Sequence, residues 1–235
     1  MGWAGGRALL LAAPTLAWAL GLGCASGQVE ASAREYAVQL AEGEAALAEG
    51  APEVAVQAFG AALVAIPHDA RALHGLARGF LDLGDPEPAL RVLAELEEYH
   101  PDYLSRQAGA ERCRALAAAV RSRLAEADSR RALLAARALP AASCGQAESA
   151  RLLAKSLLAE ARRARDERRD DEAIALFREA AGVDFLDPEA FAEVARALLA
   201  TGRRDEVLEV LSSALLAHPA DRGLRDLMVE ALVAQ

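Results

Sequence analysis

Asparagine is absent from the 235 residues, lysine occurs once, at Lys155, isoleucine only at Ile66 and Ile174, and aromatic residues make up 4%. Strands draw on β-branched and aromatic side chains, so this shortage excludes a β-rich fold. Hydrophobic residues still reach 54% and charged residues 26%, which excludes a disordered tail, a collagenous fibre and a polytopic membrane protein. About a quarter of the chain is alanine, the strongest helix former, and the expectation is an all-α fold. The chain has no HExxH, CxxC, glycine-rich phosphate loop or nucleophile elbow, and no carboxylate pair of the hydrolytic kind stands out among its many acids. The expectation is therefore a protein that is not an enzyme, with no cofactor, no metal and no small-molecule substrate. Arginine so outnumbers lysine that coding bias accounts for part of its abundance, and arginine signals are discounted accordingly.

Residues 1–23 hold one charge, Arg7, followed by a run from Ala8 to Gly23 that is apolar apart from Thr15. That is the layout of a secretory signal. The run is short of the ~20 residues a membrane-spanning helix needs, and Pro14 interrupts it. The junction Gly23-Cys24-Ala25-Ser26 resembles the lipobox of bacterial lipoproteins, although Gly21 stands where that family usually has Leu. The resemblance implies lipidation at Cys24, a membrane anchor and, with Ala25 rather than Asp after the Cys, sorting to the outer membrane, facing the periplasm. Ordinary signal cleavage after Ala25 is the alternative. Residues 24–35 then form a short linker.

Gly50, Ala55, Phe59 and Pro67 recur 34 positions later as Gly84, Ala89, Leu93 and Pro101, and Gly43 and Ala77 keep the same interval. Further on, Ala161, Ala173, Phe177 and Ala180 recur as Ala195, Val207, Leu211 and Ala214, and the last copy closes with Gly202 and Pro219. Small residues let two helices approach, Gly50, Gly84 and Gly202 supply a left-handed turn, and Pro67, Pro101 and Pro219 end the second helix. The pattern resembles the tetratricopeptide repeat, with copies at 36–69, 70–103, 154–187 and 188–221. The third departs from it, having Arg168 at the turn and Phe185 in place of the proline. The implied fold is a right-handed superhelical solenoid of helical hairpins, with two repeats over 36–103 and two over 154–221. An amphipathic run from Gly223 to Ala234 within 222–235 reads as a capping helix.

Residues 104–153 break the period. Cys113, Leu116, Ala117, Val120 and Leu124 share one helical face, which predicts a long helix over 104–127, then a shorter one from Arg130 to Leu139. Ser143 and Gln146 have the spacing of a capping box for the next helix. The segment reads as a divergent hairpin that continues the stack. Charge is uneven: 30–102 carries 4 basic and 14 acidic residues, 104–169 carries 15 and 7, and 170–235 carries 6 and 14. The basic middle is either a solvated face or a docking surface for an acidic partner, another copy's acidic end included. Nucleic acid is excluded as a partner by the net charge of −9 and the few aromatics.

The family resemblance further implies that the first helix of each repeat lines a groove that holds a peptide or partner helix. Carried over slot by slot, the basic groove positions are Arg71, His74 and Arg78, then Lys155 and Arg162, then Arg196. Glu44 and Glu189 interrupt them, and the Asn and Lys of the family's terminal-carboxylate clamp are missing. Leu40, Leu47, Leu81, Leu158 and Leu199 would meet apolar side chains of the same ligand. His68, His100 and His218 flank the repeat-ending prolines and read as structural. Cys113 and Cys144 are an even pair that could be bridged in an oxidising space or remain as two free thiols. The function implied is a non-catalytic adaptor or assembly scaffold of the cell envelope, binding a protein or peptide that could be acidic. The alternatives are a self-associating structural envelope protein and an envelope hydrolase.

Overall fold

The computed structural model describes residues 17–183 and 188–233, and every regular element among them is helical. In chain order these are α1 (Ala17–Glu49), α2 (Pro52–Ala65), α3 (Ala70–Leu83), α4 (Pro86–Tyr99), the single turn α5 (Pro101–Tyr103), a π turn (Leu104–Ala108), α6 (Gly109–Ala125), α7 (Ser129–Ala138), α8 (Gln146–Asp166), α9 (Asp170–Val183), α10 (Pro188–Ala200), α11 (Arg204–Ala217) and α12 (Arg222–Val233). Helices pack in consecutive pairs, α1 with α2, α3 with α4, α6 with α7, α8 with α9 and α10 with α11, and α12 covers the last pair. The fold is an all-α solenoid.

All five hairpins close in the same way. Gly50, Gly84, Ala127, Arg168 and Gly202 have φ of 72°, 82°, 59°, 63° and 72°. At each, the turn residue donates to the carbonyl three positions back and its successor to the carbonyl five positions behind itself, as with Gly84 N–H to Leu81 O (3.2 Å) and Asp85 N–H to Phe80 O (2.9 Å). These paired bonds satisfy carbonyls that a helix end leaves open. Arg168 therefore does occupy the turn of the third period-34 copy, while Phe185 lies outside the described residues. Helix starts are set by proline in the first turn of α2 and α4, and by side-chain caps at α3 and α7. Asp69 accepts from Arg71 N–H (3.0 Å) and Ala72 N–H (2.9 Å), and Asp128 accepts from Arg131 N–H (3.1 Å).

The core is built from alanine and leucine around two fully buried phenylalanines, Phe59 and Phe177. Phe59 shows why glycine is needed beside it: a Cβ on Gly43 of α1 or Gly75 of α3 would stand 2.8 or 2.3 Å from its ring. The two glycines let α1 and α3 close on either side of one aromatic ring.

Three details differ from the sequence expectations. Residues 24–35 are not a separate linker, because α1 runs unbroken from Ala17 to Glu49. The helix expected over 104–127 is interrupted, and a π turn at Leu104–Ala108 takes up extra residues before α6 begins at Gly109. Ser143 and Gln146 form no capping box: the residue before α8 is Gly145, no side chain caps it, and Ser143 sits in a turn with φ of 56°. Residues 1–16, with Arg7 and most of the expected signal, lie outside the described residues, as does the side chain of Cys24. No helix among the described residues is long and apolar enough to cross a membrane.

Candidate functional site

The first helices of the hairpins, α1, α3, α6, α8 and α10, lie side by side. Counted back from the left-handed turns, the same four positions recur on each. In α3 they are Arg71, His74, Arg78 and Leu81, in α6 Arg114, Ala117, Arg121 and Leu124, and in α8 Lys155, Leu158, Arg162 and Arg165. The sequence comparison misses the α6 row, because extra residues on both sides shift it out of the period. The second position of the four is interior: Leu40, Ala117, Leu158 and Ala192 are 4–7% exposed. Leu47, Leu81 and Leu199 are partly buried against the core clusters. Leu40 and Leu158, expected to meet a ligand, instead lie inside the stack, while Leu47, Leu81 and Leu199 keep part of their surface exposed.

The charged positions pair between hairpins. Arg71 donates to Glu44 across α3 and α1 at 2.7 Å, and Arg162 donates to Glu189 across α8 and α10 at 2.6 Å. Both pairs join residues 27 apart and occupy the same two slots, with the signs exchanged. Glu193, one turn beyond Glu189 and only 9% exposed, gathers Arg162 (3.5 Å), Arg165 (3.0 Å) and Arg196 (3.6 Å). Arg78 and Lys155 are exposed and have no hydrogen-bond or ion-pair partner among the described residues. Of the six groove residues drawn from the sequence, these two remain open. His74 is half-buried, with Nε2 3.4 Å from Glu111 and Nδ1 3.4 Å from the Tyr103 hydroxyl. Beside it, Tyr36 donates to Asp69 at 2.8 Å, and burial, then that bond, push its phenol up to about 12.

The same pairing explains the segmental charge. Arg112, Arg114 and Arg123 of α6 reach back to Glu97, Asp82 and Glu87 at 2.7, 2.6 and 2.6 Å. Arg137 of α7 reaches forward to Glu179 at 2.9 Å, and α8 supplies the pairs to Glu189 and Glu193. The basic middle is thus an internal counter-ion layer between two acidic flanks. Each exposed pair contributes ~0–1 kcal/mol, so the layer acts more on register than on total stability.

Cys113 and Cys144 are joined in a disulfide, with their Cα atoms 5.3 Å apart. It fastens α6 to the turn that leads into α8. Among the described residues there is no group of three or more His, Cys, Asp or Glu able to hold a metal ion.

Residues 46–112 match the tetratricopeptide repeat family. Among curated proteins, none matches the chain. Solved structures give loose overlaps. A thermophilic tetratricopeptide repeat protein of Thermus thermophilus is 26% identical, with 84% of this chain and 99% of that one covered and a TM-score of 0.35. The MamA protein of Desulfovibrio magneticus is 15% identical, with 80% and 97% covered and a TM-score of 0.38. The TPR2AB domain of yeast Sti1, in its complex with pHSP90, is 14% identical, with 84% and 98% covered and a TM-score of 0.36. Overlaps this loose carry no argument about function. Over residues 46–112 the sequence matches the tetratricopeptide repeat, and those residues are part of a continuous stack of helical hairpins closed by one kind of turn.

Proposed function

We propose that this chain is a non-catalytic adaptor or assembly scaffold of the bacterial cell envelope, exported and held at the outer membrane by a lipid on Cys24. It binds a protein or peptide segment across the shared face of α3, α6 and α8. The observation that carries this reading is the state of the charges on that face. Nearly every arginine there is neutralised by a neighbouring hairpin, and Arg78 and Lys155 are left without partners among the described residues on either side of the α6 row. A rigid face with a few uncompensated cations selects partners by charge while the helices supply buried area. The Cys113–Cys144 bridge agrees with export, since disulfides persist in oxidising compartments. Self-association of acidic ends on a basic middle has less to draw on, because those charges already meet inside one chain.

The test places a photo-crosslinking residue at position 81, between Arg78 and the α3 turn, and isolates adducts from envelope fractions of the native host. We expect one principal adduct, lost when Arg78 and Lys155 are both changed to Glu and reduced in Cys24→Ser. An adduct that persists through the double charge reversal overturns the assignment of this face.

A further inference from the structure

Both departures from the 34-residue period meet in one place. Successive turn residues, Gly50, Gly84, Ala127, Arg168 and Gly202, stand 34, 43, 41 and 34 positions apart, so extra chain enters just before α6 and just before α8. The first addition makes the π turn, and the second makes the turn that ends at Gly145. Between them lies a cavity of about 620 Å³, with Ser105 and Gly109 on one side, Ser143 and Gly145 on the other, and the Cys113–Cys144 bridge in its wall. Pockets of ~300–1,000 Å³ are the size that holds small ligands or a few peptide residues. In repeat proteins, insertions of this sort gather on one face and build its binding features.

The donors in this cavity are in excess. Helix α8 has 21 residues and starts without a side-chain cap. Its first internal bond runs from Ser149 N–H to Gly145 O (2.9 Å), so the N–H groups of Gln146, Ala147 and Glu148 have no acceptor among the described residues, and of the three Glu148 lines the cavity. Ser149, which lines the cavity, is 3% exposed, and its Oγ has no hydrogen-bond partner. On the α6 side, Arg114 donates one Nη2 to Asp82 at 2.6 Å and Arg121 donates one Nη2 to Glu148. A guanidinium has five N–H donors, so both arginines are held in position with donors left over. Glu148 is the one carboxylate of the lining, and it is tied to Arg121. Ala110, Ala117 and Leu139 supply the apolar part of the wall.

We infer that this cleft binds a carboxylate side chain of a partner peptide, an Asp or Glu within an extended segment. The carboxylate sits at the start of α8, where the helix dipole favours negative charge. It accepts from the backbone N–H of Glu148 and the Ser149 hydroxyl, and the remaining donors of Arg121 and Arg114 flank it. The methylenes beside it lie on the alanine and leucine wall. This rests on the scaffold reading above and adds to it the part of the partner that is recognised.

The experiment uses the full exported chain labelled with ¹⁵N and two probes, the N-acetyl amide of glutamate and that of glutamine, which differ in charge and scarcely in shape. Amide signals of Gln146, Ala147, Glu148 and Ser149 are followed during each titration. We expect saturable shifts with the glutamate probe alone, and an affinity about tenfold weaker in Ser149→Ala and in Arg121→Gln, each checked for retained helicity. Equal shifts with both probes overturn the inference, as do silent amides or shifts that survive both substitutions. If the cleft amides stay silent while the crosslinked partner is still captured, the cleft assignment fails and the scaffold stands. If the cleft titrates but no partner is captured, the scaffold reading fails by itself.

Discussion

Replacing the turn glycines by alanine, and the two non-glycine turn residues by glycine, should move stability in opposite directions by similar amounts. Ala127 and Arg168 hold the same left-handed backbone as Gly50, Gly84 and Gly202, with φ between 59° and 82°. A Cβ added at Gly50, Gly84 or Gly202 meets nothing within 4 Å, so the change is one of backbone conformation alone. The left-handed region costs an L-residue about 1–2 kcal/mol, and alanine returns about 0.4–1 kcal/mol by restricting the unfolded chain. The net loss expected at each glycine is about 1 kcal/mol. Ala127→Gly and Arg168→Gly should gain about as much, since both residues are exposed and the Arg168 side chain has no partner among the described residues. The two sites lie on different hairpins, so the gains should add. Urea unfolding read by circular dichroism is the assay, with the midpoint moving and the slope unchanged. Neutral glycine-to-alanine changes, or a destabilising Ala127→Gly, would show that these turns are not what closes the hairpins.

Other changes test the packing and the charge layer. Reducing the Cys113–Cys144 bridge, whose ends are 31 residues apart, should lower stability by about 3.5 kcal/mol, and an unfolding midpoint unaffected by dithiothreitol would refute it. Gly75→Ala should destabilise by about 1–3 kcal/mol through its clash with Phe59, and Phe59→Leu in the same chain should recover part of that loss in urea unfolding. Exchanging Glu44 and Arg71 should leave stability within about 0.5 kcal/mol of the parent, because the Arg162–Glu189 pair already uses the exchanged signs, whereas either single change should be worse. Hydrogen bonds from Arg163, and beyond them one from Ser129, hold the buried Glu160 carboxyl below the ordinary carboxylate range against its burial. Its contribution is present above the unfolded value of about 4.3 and is lost as pH falls through the lower folded value, so Glu160→Gln should flatten the acid limb of a stability profile.

Sequence by itself determined the fold class and the repeat, because a helical hairpin writes its small contact residues, its turn and its end at fixed intervals. Gly50, Gly84 and Gly202 are legible as turns since only glycine enters the left-handed region freely. Ala127 is not, because nothing in an alanine announces a positive φ, and with it goes the alignment of α6 and the Arg114 and Arg121 positions. The period also places Arg71, Arg162 and Arg196 on a shared face, yet what each arginine meets there depends on the neighbouring hairpin. Tertiary structure alone decided that Glu44, Glu189 and Glu193 neutralise them, that Leu40 and Leu158 are interior, and that the basic middle is matched to acidic flanks within the chain. The cleft belongs to the same class. Its two insertions are visible only as lost periodicity in the sequence, and they become one site because the stack and the Cys113–Cys144 bridge bring together segments that the chain keeps apart.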